Sequence, residues 1–178
     1  MTFTPPLRAA AALVTAALLV TCASDPSVRW GDVTLDLPDG WVVAEEGEDR
    51  LSLATAPFGQ DTPPEDLEAA LFLTREPGTS AADWRGLIER IHGEVEEDRQ
   101  RTVGGAPATE LVFRHDGNGT PLREMAVVVP ARQLVILAQP VVARGEQDGP
   151  ARFDRYRATF DAVLSSIRFG APTDRARR

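Results

Sequence analysis

Two histidines, one cysteine and a few clustered acids and hydroxyls are the side chains from which a reactive site would have to be built. His92 follows Ile91, and His115 opens the run His115-Asp116-Gly117-Asn118-Gly119. A zinc centre takes three or four His, Cys or carboxylate ligands at short spacings. Here there is neither an H-E-x-x-H pair nor a second cysteine, so no metal or cofactor is expected. Asp116-Gly117-Asn118-Gly119 begins like a calcium loop, but Thr120-Pro121 breaks the alternation of ligands and no Glu closes it. A hairpin turn is the better reading of that run. Ser165 and Ser166 lack the G-x-S-x-G context of an activated serine and read as helix-end residues. Glu94, Glu96, Glu97 and Asp98 could pair for acid–base work, but they read as a solvated face around a helix end. Trp30, Trp41 and Trp84 are assigned to core packing rather than to a ligand pocket. All 19 basic residues are arginine, which excludes lysine chemistry such as a Schiff base or a P-loop. Catalysis is not expected. A hydrolase would need a buried carboxylate paired with His92 or His115 in a cleft.

The lone cysteine has a different context. Arg8 and the amino terminus form a short positive region, and Ala9 to Val20 is apolar except for Thr15. That is a signal-peptide pattern, too short to span a bilayer. Leu19-Val20-Thr21-Cys22 resembles a lipobox, which makes Cys22 the lipid-modified first residue of the mature chain. Thr21 departs from the Gly, Ala or Ser usual before the cysteine. Cleavage after Ala23, with plain secretion and loss of Cys22, is the competing reading. The two differ in outcome, because each buried methylene of an acyl chain contributes about 0.8 kcal/mol to membrane binding.

The bulk properties fit one exported domain. The chain has 178 residues, 43% hydrophobic and 26% charged, with a net charge of −8. A core of this size needs no disulfide, and one cysteine could not form one. The acidity argues for solubility and against a nucleic-acid partner.

The elements that would position any site follow from periodicity. Val28 to Leu37 alternates as a strand, Pro38-Asp39-Gly40 turns, and Trp41 to Ala44 resumes as the second arm of a hairpin. Arg50 to Ala56 and Leu67 to Thr74 are further strands. Ser80 with Asp83 begins a capping box, and Trp84, Leu87, Ile88, Ile91 and Val95 predict an amphipathic helix over 81–98. Gly104-Gly105 is a turn, followed by a meander of Pro107 to Arg114, Thr120 to Val129 and Gln133 to Val142. A closing helix from Pro150 carries Phe153, Tyr156, Phe160, Val163, Leu164 and Ile167 on one stripe. The expected organisation is a signal peptide over 1–21, a tether over 22–27, a single α+β domain over 28–169 and a frayed tail over 170–178. The domain should be an antiparallel sheet of six or seven strands sandwiched by two main helices.

Three local patterns line up within that frame. They are Trp30 to Leu37 leading into Pro38-Asp39-Gly40-Trp41, Gly104-Gly105-Ala106-Pro107-Ala108 opening a strand, and Leu164-Ser165-Ser166-Ile167-Arg168-Phe169 ending the chain's last helix. Together they resemble the PsbP-like superfamily, with its Ran-binding Mog proteins and its actinobacterial lipoproteins of the LpqN type. The likeness runs over residues 28–169. It implies the sheet-and-helix fold above and no catalytic residues. PsbP-like members act mainly as assembly or binding modules, and LpqN-like members are linked to envelope lipid export.

Three functions remain as expectations. The first is a non-enzymatic interaction or assembly module, held at the outer face of the cytoplasmic membrane through Cys22 and meeting an envelope protein. It predicts an exposed apolar or aromatic patch with a polar rim. The second is a lipid or glycolipid carrier, which requires an apolar cavity between sheet and helix lined by residues such as Trp84, Leu87, Leu134, Ile136 and Phe160. The third is the hydrolase already described.

Overall fold

Leu51, Leu53, Leu71 and Leu73 alternate along neighbouring strands, and all four are fully buried. Their period of two aims them at one side of a sheet. A computed structural model describes residues 26–59, 61–63, 65–117 and 119–170. The strands are β1 (Ser27–Trp30), β2 (Val33–Asp36), β3 (Val42–Glu46), β4 (Arg50–Ala54) and β5 (Ala69–Arg75). Helix α1 (Ala81–Arg90) follows, then β6 (Glu94–Val103), β7 (Ala106–Asp116), β8 (Pro121–Val129), β9 (Leu134–Pro140), α2 (Gly149–Ser166) and β10 (Arg168–Phe169). A single 3₁₀ turn at Pro130–Arg132 joins β8 to β9, with Gln133 in the left-handed region.

Seven strands form one antiparallel sheet in the order β3-β4-β5-β9-β8-β7-β6. The chain is α+β, with one helix on each face of that sheet, as expected. Helix α2 covers the face that carries Leu51, Leu71, Ile136, Met125 and Val112, and inserts Phe153, Phe160, Val163 and Leu164. Helix α1 lies on the opposite face, where Ile88 packs against Leu111, Phe113 and Ala126.

Three expectations are corrected. Val28 to Leu37 is not one strand: Gly31, at φ 59°, turns the chain so that β1 and β2 pair as a hairpin. Nor does that segment form a hairpin with β3. Strand β2 pairs with β1 and β10 in a separate three-stranded sheet, which extends the α2-side core with Trp30, Val33 and Leu35. The two sheets are clamped by Arg75, which bonds Asp32 and the Arg132 carbonyl and lies over the Trp30 ring.

The third correction concerns the helix over 81–98, which stops at Arg90. His92 adopts φ 56°, and the amides of His92 and Gly93 bond back to the carbonyls of Glu89 and Ile88 at 3.0 and 2.8 Å. That double return is a Schellman-type stop. Residues 94–103 are the edge strand β6, so Glu94, Glu96, Glu97 and Asp98 belong to a strand and not to a helix end. The capping box at Ser80 and Asp83 is formed as read. The signal segment over 1–21, Cys22 and most of the tether and tail lie outside the described residues.

Candidate functional site

Helix α1 is only ten residues long, and this leaves its face of the sheet half covered. It packs over the β6–β8 end through Ile88. Beyond Trp84, Phe72 and Thr74 of β5 and Leu137 and Gln139 of β9 are only half-buried. Arg50, Phe72, Thr74, Val135, Leu137 and Gln139 floor a cleft of about 270 Å³ walled by Trp84. Phe58 stacks on Phe72 at 6.0 Å between centroids, and the Arg50 guanidinium lies 4.7 Å from the same ring centre. Leu87 and Ile91, 37% and 39% exposed, share the Trp84 flank of α1 by helical period. The result is a trough of mixed character, its aromatic rings flanked by Arg50, Thr74, Glu76 and Gln139.

Gln139 carries the trough into a second cleft of about 460 Å³, walled by the end of the β7–β8 hairpin and the segment after β9. Glu124 of β8 is set in that wall. Diagonally across from it on β7 is His115, whose Nε2 lies 3.4 Å from Glu124 Oε2. The Nε2 atom is sealed from solvent and makes no aligned hydrogen bond, so the contact is electrostatic. The Glu124 carboxylate raises the His115 pKa, outweighing the opposite effect of burial. The imidazole also stacks on Phe113, at 5.9 Å.

The α2 side carries an ion lattice, and near the start of that helix a cleft of about 530 Å³ lies among Leu67, Glu68, Val142, Glu146 and Arg152. Glu110 of β7 is fully buried yet takes Arg99, Arg101 and Arg157 as partners. Asp161 of α2 bonds Arg101 and Arg157 at 2.9 and 3.1 Å. Burial pushes the Asp161 pKa up, but the two arginines outweigh it and hold the group below its usual range. Burial likewise disfavours charge on Arg157, and Glu110 with Asp161 reverses that. Farther along α2, Tyr156 donates to Glu68 at 2.5 Å, and burial with that bond lifts its hydroxyl to about 12. These pairs join helix to sheet, although the buried Arg101 Nε has no hydrogen-bond partner among the described residues.

The residues expected to line one apolar cavity do not meet. Leu134, Ile136 and Phe160 are packed in the α2-side core, whereas Trp84 and Leu87 stand on the α1 side. The sheet itself separates the two groups, because alternate residues of a strand point to opposite faces. Trp30 and Trp41 are core residues, as read. Ser166 accepts from the Asp36 amide at 2.9 Å and Ser165 donates to the Asp161 carbonyl, so both serve the helix end. His92 lines a shallow cleft of about 240 Å³ with Glu94, Arg114 and His115. Cys22 lies outside the described residues. Sequence reasoning passed over Glu124, although a carboxylate directly before Met125-Ala126-Val127-Val128-Val129 is the one signal that could have marked it.

Neither a protein-family model nor a curated relative matches the sequence. Among solved structures, the chain is similar to the crystal structure of a Pseudomonas aeruginosa protein of unknown function. That likeness has 15% identity and a TM-score of 0.47 over 83% of this chain and 98% of that one. It is also similar to the solution structure of cyanobacterial PsbP from Synechocystis, at 16% identity and a TM-score of 0.42 over 81% of this chain and 90% of that one.

Proposed function

We propose that the chain is an exported, non-enzymatic lipoprotein of the LpqN type within the PsbP-like superfamily. It acts as an interaction or assembly module on the outer face of the cytoplasmic membrane, anchored through Cys22. The half-covered sheet face carries this reading. Its trough of Phe58, Phe72, Trp84 and Leu137 with Arg50 at the rim has the aromatic and arginine composition of protein interfaces. A protein partner suits an open trough better than a lipid does, because a lipid carrier has to enclose its cargo. The His115–Glu124 pair meets part of what a hydrolase needs. However, its Nε2 is sealed under the sheet surface, whereas a general base must touch the proton it takes.

A photo-crosslinking residue at Leu87, in protein expressed in its native membranes, tests the reading against the same residue at Ala158 on the far side of α2. A discrete adduct from Leu87, lost on adding Phe58→Asp and not formed from Ala158, is expected. Cys22→Ser should release the protein to the soluble fraction. Equal adducts from both positions, or none from Leu87, would overturn the docking face. Retention of the Cys22→Ser protein in washed membranes would overturn the anchor.

A further inference from the structure

The 460 Å³ cleft beyond Gln139 is built differently from the aromatic trough. Glu124 is 8% exposed and precedes five buried apolar residues on β8. Among the described residues its carboxylate accepts no hydrogen bond, and His115 at 3.4 Å is its ion-pair contact. A carboxylate at that depth is costly unless donors reach it. The open side of its environment is the cleft. The Thr120 hydroxyl nearby accepts from the Gly145 amide at 2.7 Å. Arg144, also in the cleft wall, is exposed and has no acidic partner within ion-pair distance among the described residues.

One cleft therefore holds a largely buried carboxylate whose open side faces the cleft and, among the described residues, an arginine without an acidic partner. We propose that it binds a small amino-carboxylate zwitterion, with the ammonium group on Glu124 and the carboxylate on Arg144. An ammonium group brings three donors to the acceptor-only Glu124 carboxylate. The guanidinium offers the planar fork that matches a carboxylate. The volume lies within the roughly 300–1,000 Å³ range of small-molecule sites. This site is distinct from the trough and does not depend on a protein partner.

Binding is coupled to His115. The ring faces Glu124 on β8, Asp116 on its own strand, and Glu94, Arg114 and His92 around the neighbouring cleft. An ammonium group placed on Glu124 neutralises the charge that favours protonated His115. The ligand therefore binds more tightly as His115 loses its proton, and in turn it moves the His115 titration to lower pH.

The test is an NMR titration of the purified mature protein with glycine, β-alanine, 4-aminobutyrate and 6-aminohexanoate, with butylamine and butyrate as single-charge controls. At least one zwitterion should shift the Thr120, Glu124, Gln139 and Arg144 amides and bind roughly tenfold more tightly than either control. Glu124→Gln should weaken it by about tenfold, and Arg144→Ala should reduce it to the level of butylamine. The His115 ring signals should titrate at lower pH in the complex. The proposal is overturned if none of the zwitterions shifts those amides. Undiminished binding to Glu124→Gln, or a zwitterion no better than butylamine, has the same consequence.

Discussion

At the scale of single residues, two buried acids behave in opposite ways. Glu110 has no exposure and three arginine partners, so its charge is neutralised within the protein. Removing one partner from a buried ion cluster leaves the rest uncompensated. Glu110→Gln should therefore cost about 3 kcal/mol in urea unfolding, with the m-value unchanged. Among the described residues Glu124 has only His115, and that contact makes stability depend on pH. The folded pKa of His115 is raised, so its contribution is fully present below the ordinary histidine value and is lost as pH rises through the folded value. Urea midpoints measured from pH 5 to 9 should show this decline in the wild type. In His115→Gln that part of the decline should vanish. A pH profile unchanged by the substitution would remove the pair from the account. Neither role is legible in the sequence, where Glu110 and Glu124 are two acids within strands of the meander. The pairing partner of Glu124 comes from the neighbouring strand β7, and those of Glu110 come from β6 and from α2.

At the scale of elements, the boundary between α1 and β6 decides how much of the sheet is covered. The apolar spacing from Trp84 to Val95 predicts a longer helix, yet the chain turns at His92-Gly93. The stop was written in the sequence as a glycine just past a periodic stripe, and Val95 masked it by continuing the period. Strand β6 was hard to recognise for a related reason. Nearly every residue of this edge strand is charged or polar, so the period of two has no apolar side to show. Charges along an edge also block pairing with other chains. Gly93 is the residue on which this boundary depends. A Cβ there would lie 2.8 Å from Ile88 Cγ2 and 3.0 Å from the Arg114 carbonyl oxygen. Gly93→Ala should destabilise the protein by roughly 2 kcal/mol in thermal or urea unfolding, by overpacking the joint between α1 and the sheet. A variant as stable as the wild type would mean that the joint is looser than its geometry implies.

At the scale of the whole molecule, the sequence by itself determined the α+β class, the turns at Gly40 and at Gly104-Gly105, the capping box at Ser80 and the apolar stripe of α2. Each of these depends on residues close together in the chain, where periodicity and turn chemistry act locally. Tertiary structure alone decided that β2 leaves the large sheet, that Arg75 and Asp32 clamp the two sheets, and that the five residues expected around one cavity fall on opposite faces. The central strands are apolar on both sides, so their sequence does not say which residues face α1 and which face α2. That choice is made when the helices pack. It left one half of the α1 face open and placed Glu124 at the bottom of a cleft, which is where both proposed activities of this protein lie.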